Sequence, residues 1–145
     1  MEKVHFSTKI NASKERVWNT MLDDETYREW TSAFFEGSYY EGSWEQGSAI
    51  RFMGPDRSGM VSRIADNRLH EFVSIEHLGF TKNGVDDMES EGAAAFSGAR
   101  ENYTFKEGGG VTELSVEMDI PDAYRKMFED TWPKALLKLK QLSER

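Results

Sequence analysis

The sequence predicts an α+β fold: a curved antiparallel sheet of about six or seven strands wrapped on one long C-terminal helix, with two short helices after the first strand. Two neighbouring segments predict it. In Val111-Thr112-Glu113-Leu114-Ser115-Val116-Glu117-Met118, apolar and polar residues alternate, which puts Leu114, Val116 and Met118 on one side of a strand. Beyond Pro121 the period changes. Tyr124, Phe128, Thr131, Ala135, Leu139 and Leu142 recur at steps of three and four along Asp122 to Arg145, the stripe of an amphipathic helix. Strand and helix must cover each other's apolar side, and a helix laid over a curved sheet can enclose a cavity.

The remaining elements follow in order. Val4 to Ile10 alternates Val4, Phe6 and Thr8 against His5, Ser7 and Lys9, a first strand that ends at Asn11. Ser13 can cap the next helix, Glu15 suits its first turn, and Val17, Trp18, Met21 and Leu22 share one side. Asp23 or Asp24 starts a second short helix, in which Tyr27 and Trp30 lie three apart. From Phe34 to Phe105, short apolar runs separated by turn residues predict an antiparallel meander. Its strands are Phe34 to Tyr40, Ser48 to Met53, Met60 to Ala65, Phe72 to Leu78 and Arg100 to Phe105. The breaks are Gly42 to Gly47, Gly54 to Gly59 and Asp66-Asn67-Arg68, and Gly108-Gly109-Gly110 makes the final hairpin. Gly79 to Gly98 lacks clear periodicity and reads as a long connection, either a lid over a site or a solvated hairpin loop.

The 145 residues suit a single domain spanning 1–145, because a chain of this size buries roughly two-thirds of its unfolded surface around one core. With 26 acidic against 18 basic side chains the formal charge is -8, which repels phosphate backbones and anionic lipid and argues against nucleic acid as a partner. The absence of cysteine excludes disulfides and thiolate metal sites and is compatible with a reducing compartment. The N-terminus lacks an apolar stretch of signal-peptide length, and no window approaches a membrane span. A cytoplasmic protein without membrane insertion, monomeric or weakly homodimeric, is the expectation.

Five stretches, in this order, carry a family resemblance: Ile10-Asn11-Ala12-Ser13-Lys14-Glu15-Arg16-Val17-Trp18, then Trp30, then Gly42-Ser43-Trp44-Glu45-Gln46-Gly47, then Glu101-Asn102-Tyr103-Thr104-Phe105, then Trp132 to Lys140. Together with the order of elements, they resemble the helix-grip fold of the START-like (SRPBCC) superfamily, and within it the AHSA-type branch, homologues of the heat-shock chaperone ATPase activator. The likeness covers almost the whole chain. It implies a deep cavity between sheet and long helix that binds small, largely apolar molecules in many relatives. Across the superfamily that cavity serves lipid carriage, polyketide cyclisation, ring hydroxylation and chaperone stimulation, so the fold does not choose the chemistry.

Inward positions would come from the long helix and from the apolar parity of the strands. Tyr124, Phe128 and Trp132 are the candidates on the helix; Phe52, Ile75, His77, Tyr103 and Phe105 are those on the strands, with Trp30 beside the second helix. For each aromatic, plain core packing is the competing reading. His77 follows Val73 and Ile75 by period two, and Glu101 shares parity with Tyr103 and Phe105. Facing inward, the two would form an acid–base pair. Otherwise His77 is a strand-end histidine and Glu101 lies at the wet rim of the sheet. Arg51 and Arg63 have the opposite parity to Ile50, Phe52 and Ile64, and are expected outside.

Other chemistries lack their motifs. His5, His70 and His77 have no metal-ligand spacing, and the acidic run Asp86 to Glu91 lacks the alternating ligands of a calcium loop, so no metal is expected. Gly108 to Gly110 leads into a strand rather than a helix and so cannot cradle phosphate, and no Gly-x-Ser-x-Gly elbow is present; no cofactor is expected. Pro133 falls inside the helical stripe and predicts a bend beside Trp132. The function that fits is binding of a small hydrophobic or amphipathic molecule between sheet and C-terminal helix, without chemistry. One alternative is a cyclase, dehydratase or hydrolase using His77 and Glu101. The other, from the resemblance alone, is a protein that stimulates a chaperone ATPase; the chain reads as one domain without the additional N-terminal module of the eukaryotic activators.

Overall fold

The computed structural model describes residues 1–145. In chain order the elements are β1 (Glu2–Ile10), α1 (Lys14–Leu22), α2 (Asp24–Thr31), β2 (Tyr39–Gly42), β3 (Ala49–Met53), β4 (Gly59–Arg68), β5 (Phe72–Lys82), β6 (Val85–Asp87), α3 (Glu91–Phe96), β7 (Arg100–Gly108), β8 (Val111–Ile120) and α4 (Arg125–Glu144). All the strands join one antiparallel sheet in the order β1-β8-β7-β5-β4-β3-β2, and β6 pairs with β5 beyond the end of β7. The sheet thus has eight strands, one more than the upper expectation. The first and last strands are neighbours, with Val4 opposite Met118 and Phe6 opposite Val116.

The alternation of β8 does what its sequence requires: Leu114, Val116 and Met118 are buried while Glu113 and Glu117 are exposed. α4 covers that face with Trp132, Ala135, Leu136 and Leu139, all buried. Each large apolar side chain so buried is worth about 1.5–3 kcal/mol. Ser13 caps α1 by accepting a hydrogen bond from the Arg16 amide, and Val17, Trp18, Met21 and Leu22 are buried as their spacing requires. α4 continues unbroken through Pro133, which lies on its exposed side. The carbonyls at its end are met from another element: the Arg16 guanidinium of α1 donates to the Ser143 and Arg145 carbonyls. The Asn11 amide donates to the side-chain carboxylate of Glu144.

Three expected boundaries move. The strand expected over Phe34 to Tyr40 forms only at Tyr39–Gly42, because the end of α2 runs on in turns, with the Phe34 and Phe35 amides bonded to the Thr31 carbonyl. Those turns send the Phe34 ring back over Trp132. Asp66-Asn67-Arg68, expected as a break, lies within β4; the chain reverses later, at His70, whose φ is 64°. The Gly79 to Gly98 connection is largely ordered. It holds the end of β5, the strand β6 and the helix α3, which Ser90 caps by accepting from the Ala93 amide.

A bulge in β5 positions the site. Ser62 of β4 pairs with His77 but the preceding Val61 pairs with Gly79, so Leu78 is the extra residue. The shift brings His77 and Phe80, three apart in sequence, to opposite flanks of one ring, Phe96. Gly79 permits it, since a Cβ there would lie 2.5 Å from the Asp87 carbonyl oxygen.

Candidate ligand site between the sheet and the last helix

His77 and Glu101 both turn inward, which corrects the strand-end and wet-rim readings. The His77 side chain is 2% exposed and that of Glu101 13%. Their strands β5 and β7 are adjacent, and the imidazole Nε2 lies 3.3 Å from a Glu101 carboxylate oxygen. On the other side of the ring, Nδ1 lies 2.8 Å from the hydroxyl of Ser62, which is fully buried. The Tyr103 hydroxyl donates to the second Glu101 oxygen. Nε2–H donates to one Glu101 oxygen and the Tyr103 hydroxyl to the other, while Nδ1 and the Ser62 hydroxyl share a third hydrogen bond. Two donors therefore meet at one carboxylate, and Ser62 holds the imidazole that supplies one of them.

The charge of that carboxylate is felt by both neighbouring phenols. Burial pushes Tyr103 well above the ordinary tyrosine range, and the Glu101 charge and hydrogen bond push it the same way. Burial likewise raises Tyr27, with the Glu101 charge the second cause and Tyr40 the third. No Lys or Arg forms an ion pair with Glu101; His77 is its one basic contact. The expected outward arginines pair with other acids, Arg51 with Asp86 and Arg63 with Glu76.

Aromatic rings surround this polar line. Trp132 of α4 stands 4.9 Å from Phe34, 5.9 Å from Phe6, 6.1 Å from Trp30 and 6.2 Å from Tyr103, centroid to centroid. Tyr27 lies 5.6 Å from Trp30 and 6.2 Å from Phe52, and Phe52 is 6.4 Å from the imidazole. These rings occupy the space expected as a cavity, and two surface grooves, one along α4 and α2 and one between β1 and α4, include none of the expected residues. Phe34 and Phe128, 6.2 Å apart, are the half-buried rings on the α4 side. On the α3 side, Phe96 stacks on His77 at 5.2 Å.

Of the expected lining residues, Trp30, Phe52, Ile75, His77, Tyr103 and Trp132 gather around Glu101 or the rings beside it, with Phe128 at the edge. Phe105 is buried elsewhere, 5.1 Å from Trp18 under α1. Tyr124 does not belong to the site: it sits in a 3-10 turn before α4 and is 53% exposed. That turn makes the helical stripe begin one step late, at Phe128. Ser62, Tyr27, Phe34 and Phe96 were missed. Ser62 shares period-two parity with Ile64, a signal that was present, but no periodicity could show the β5 bulge or the fold-back of α3.

The geometry invites comparison with known proteins. A family model described as "Activator of Hsp90 ATPase homolog 1-like protein" matches residues 11–144. The chain belongs to this family. None of the curated proteins compared matches it significantly in sequence. Family members of this kind share the helix-grip architecture, and solved structures repeat it over nearly the full chain. The Aha1 dimer from Colwellia psychrerythraea superposes with a TM-score of 0.74 at 17% identity, covering 99% of this chain and 97% of that one. A protein of Mesorhizobium loti gives 0.73 at 14% identity, covering 97% and 96%. CalU16 from Micromonospora echinospora gives 0.66 at 15% identity, covering 97% of this chain and 75% of that one. At these identities the likeness establishes the fold. No helix is long and apolar enough to cross a membrane.

Proposed function

We propose that this chain binds a small amphipathic molecule between the sheet and α4, with its polar end at Glu101 and its apolar part among the rings around Trp132. The observation that supports the reading is the buried line of Ser62, His77, Glu101 and Tyr103 set inside an aromatic shell. A packed core gains nothing from a carboxylate there, because an apolar side chain of equal size avoids the cost of desolvating a charge. Binding sites are commonly apolar with a few convergent polar groups. Access requires rings to move, and Phe6, Phe34 and Phe128 are half-buried rings with solvent to move into.

The test is a panel of lipids, flavonoids and polyketides titrated against the purified protein, read by melting temperature and tryptophan fluorescence. Trp30 and Trp132 lie in the shell, so an occupant should change the emission. A panel that moves neither signal, together with no retained small molecule in native mass spectrometry, overturns the proposal.

A second reading uses the 3.3 Å contact between His77 and Glu101 for general acid–base chemistry on the bound molecule. It predicts a turnover that His77→Asn and Glu101→Gln both abolish, whereas unchanged turnover removes both residues from the role. A third follows from the family description and has the chain stimulating a chaperone ATPase. Measuring that ATPase with and without the protein decides it, and the relative solved as a dimer makes sedimentation a useful companion experiment.

A further inference from the structure

We infer that the molecule bound at Glu101 is a cation, an amphipathic amine whose ammonium group meets the carboxylate and whose apolar body lies against the surrounding rings. The inference rests on the proposed ligand-binding reading and adds the chemical class. Its starting point is the arrangement of charge. Glu101 has a side chain only 13% exposed, yet neither Lys nor Arg neutralises it. Its protein partners are His77 Nε2–H on one oxygen and the Tyr103 hydroxyl on the other. A carboxylate offers about four lone-pair sites and these two donors fill two of them. The carboxylate is therefore oriented and held with capacity left for another donor.

The neighbours favour a cation over a neutral donor. Aromatic faces carry partial negative charge, and the rings of Tyr103, Phe52 and Trp132 lie within one or two contacts of the carboxylate. A neutral ligand leaves the carboxylate without a Lys or Arg counter-charge, and an anionic one adds repulsion in a low dielectric. At longer range, the net charge of -8 draws cations toward the molecule and keeps anions away.

Three probes with the same ten-carbon tail decide the question: decylamine, decanol and decanoic acid, which near neutral pH are positive, uncharged and negative. Isothermal titration calorimetry and tryptophan fluorescence would be run below their micelle-forming concentrations. The expected order is amine, then alcohol, then acid, with the amine at least about tenfold tighter than the alcohol. Attraction to the acidic surface is separated by repeating the titrations in roughly 1 M salt, where the screening length falls to about 3 Å; a gap that persists there belongs to the buried carboxylate. In Glu101→Gln the advantage of the amine over the alcohol should disappear. If all three probes bind with equal affinity, if the acid is tightest, or if the gap vanishes in salt, the amine class is wrong and the container stands. If none of the three binds, the container reading and this inference fall together.

Discussion

The ring of Phe96 lies against the imidazole of His77, with centroids 5.2 Å apart and planes 17° from parallel, and its far side faces Phe80 at the same spacing. α3 thereby covers the buried end of the polar line. Phe96→Ala should uncover His77 and loosen α3 without unfolding the sheet, at a cost of about 1–3 kcal/mol, because the ring is only partly buried. Hydrogen exchange should accelerate from Glu91 to Gly98 and leave β8 unchanged. Unchanged protection in α3 would show that the stack does not hold it.

Ser62 supplies a hydroxyl to an imidazole that water does not reach. Ser62→Ala removes that partner and leaves Nδ1 unsatisfied, which should cost about 1–3 kcal/mol of stability. The measurement is the urea midpoint, with the chemical shifts of the His77 ring as a local readout. A wild-type midpoint and unmoved shifts would mean that the contact is incidental.

Alkaline pH tests the raised phenols. The folded chain holds the Tyr27 and Tyr103 protons above the ordinary tyrosine value of about 10, whereas the unfolded chain releases them there. The unfolded state then binds fewer protons, so stability is present in full below about pH 10 and falls as pH rises past it. Urea midpoints measured from neutral pH to about pH 11 should drop over the last unit, and Tyr103→Phe should lessen that drop. A midpoint flat to that pH would contradict the burial of both phenols.

Trp132 touches rings from β1, α2, the turn after α2 and β7. Trp132→Ala should therefore cost about 3–5 kcal/mol, and Trp132→Phe clearly less because one ring still fills the centre. Thermal unfolding followed by circular dichroism reads both, and equal melting temperatures for the two variants would show that the site collapses freely.

Arg16 reaches from α1 to the last carbonyls of α4. Arg16→Ala should lower stability by about 0.5–2 kcal/mol and speed amide exchange in the final turn of α4. Arg16→Lys keeps the charge without the planar fork and should recover only part of it. Full recovery by lysine would reduce the contact to plain electrostatics.

Much of the architecture was legible because it depends on local period. The oily face of β8, the stripe of α4 from Phe128 onward, and the Ser13 cap each follow from side chains a few residues apart. The expected strand at Phe34 to Tyr40 failed because the rings of Phe34 and Phe35 look alike in a strand or a turn; the hydrogen bonds to Thr31 are what choose the turn. Parity left Glu101 open between the interior and the wet rim of the sheet, and it held no sign of the partners that Glu101 meets. His77 and Glu101 are 24 residues apart, and Ser62 joins His77 across another 15.

By itself, then, the sequence determined which side of each strand and helix is apolar, and hence that a helix must close over a sheet, because burial of apolar surface acts through spacing along the chain. Tertiary structure alone decided that the space under α4 is filled by rings, that Leu78 bulges, and that a histidine held by a serine meets a tyrosine at one carboxylate. Those outcomes depend on volumes and registers set between distant strands, and no local pattern contains them.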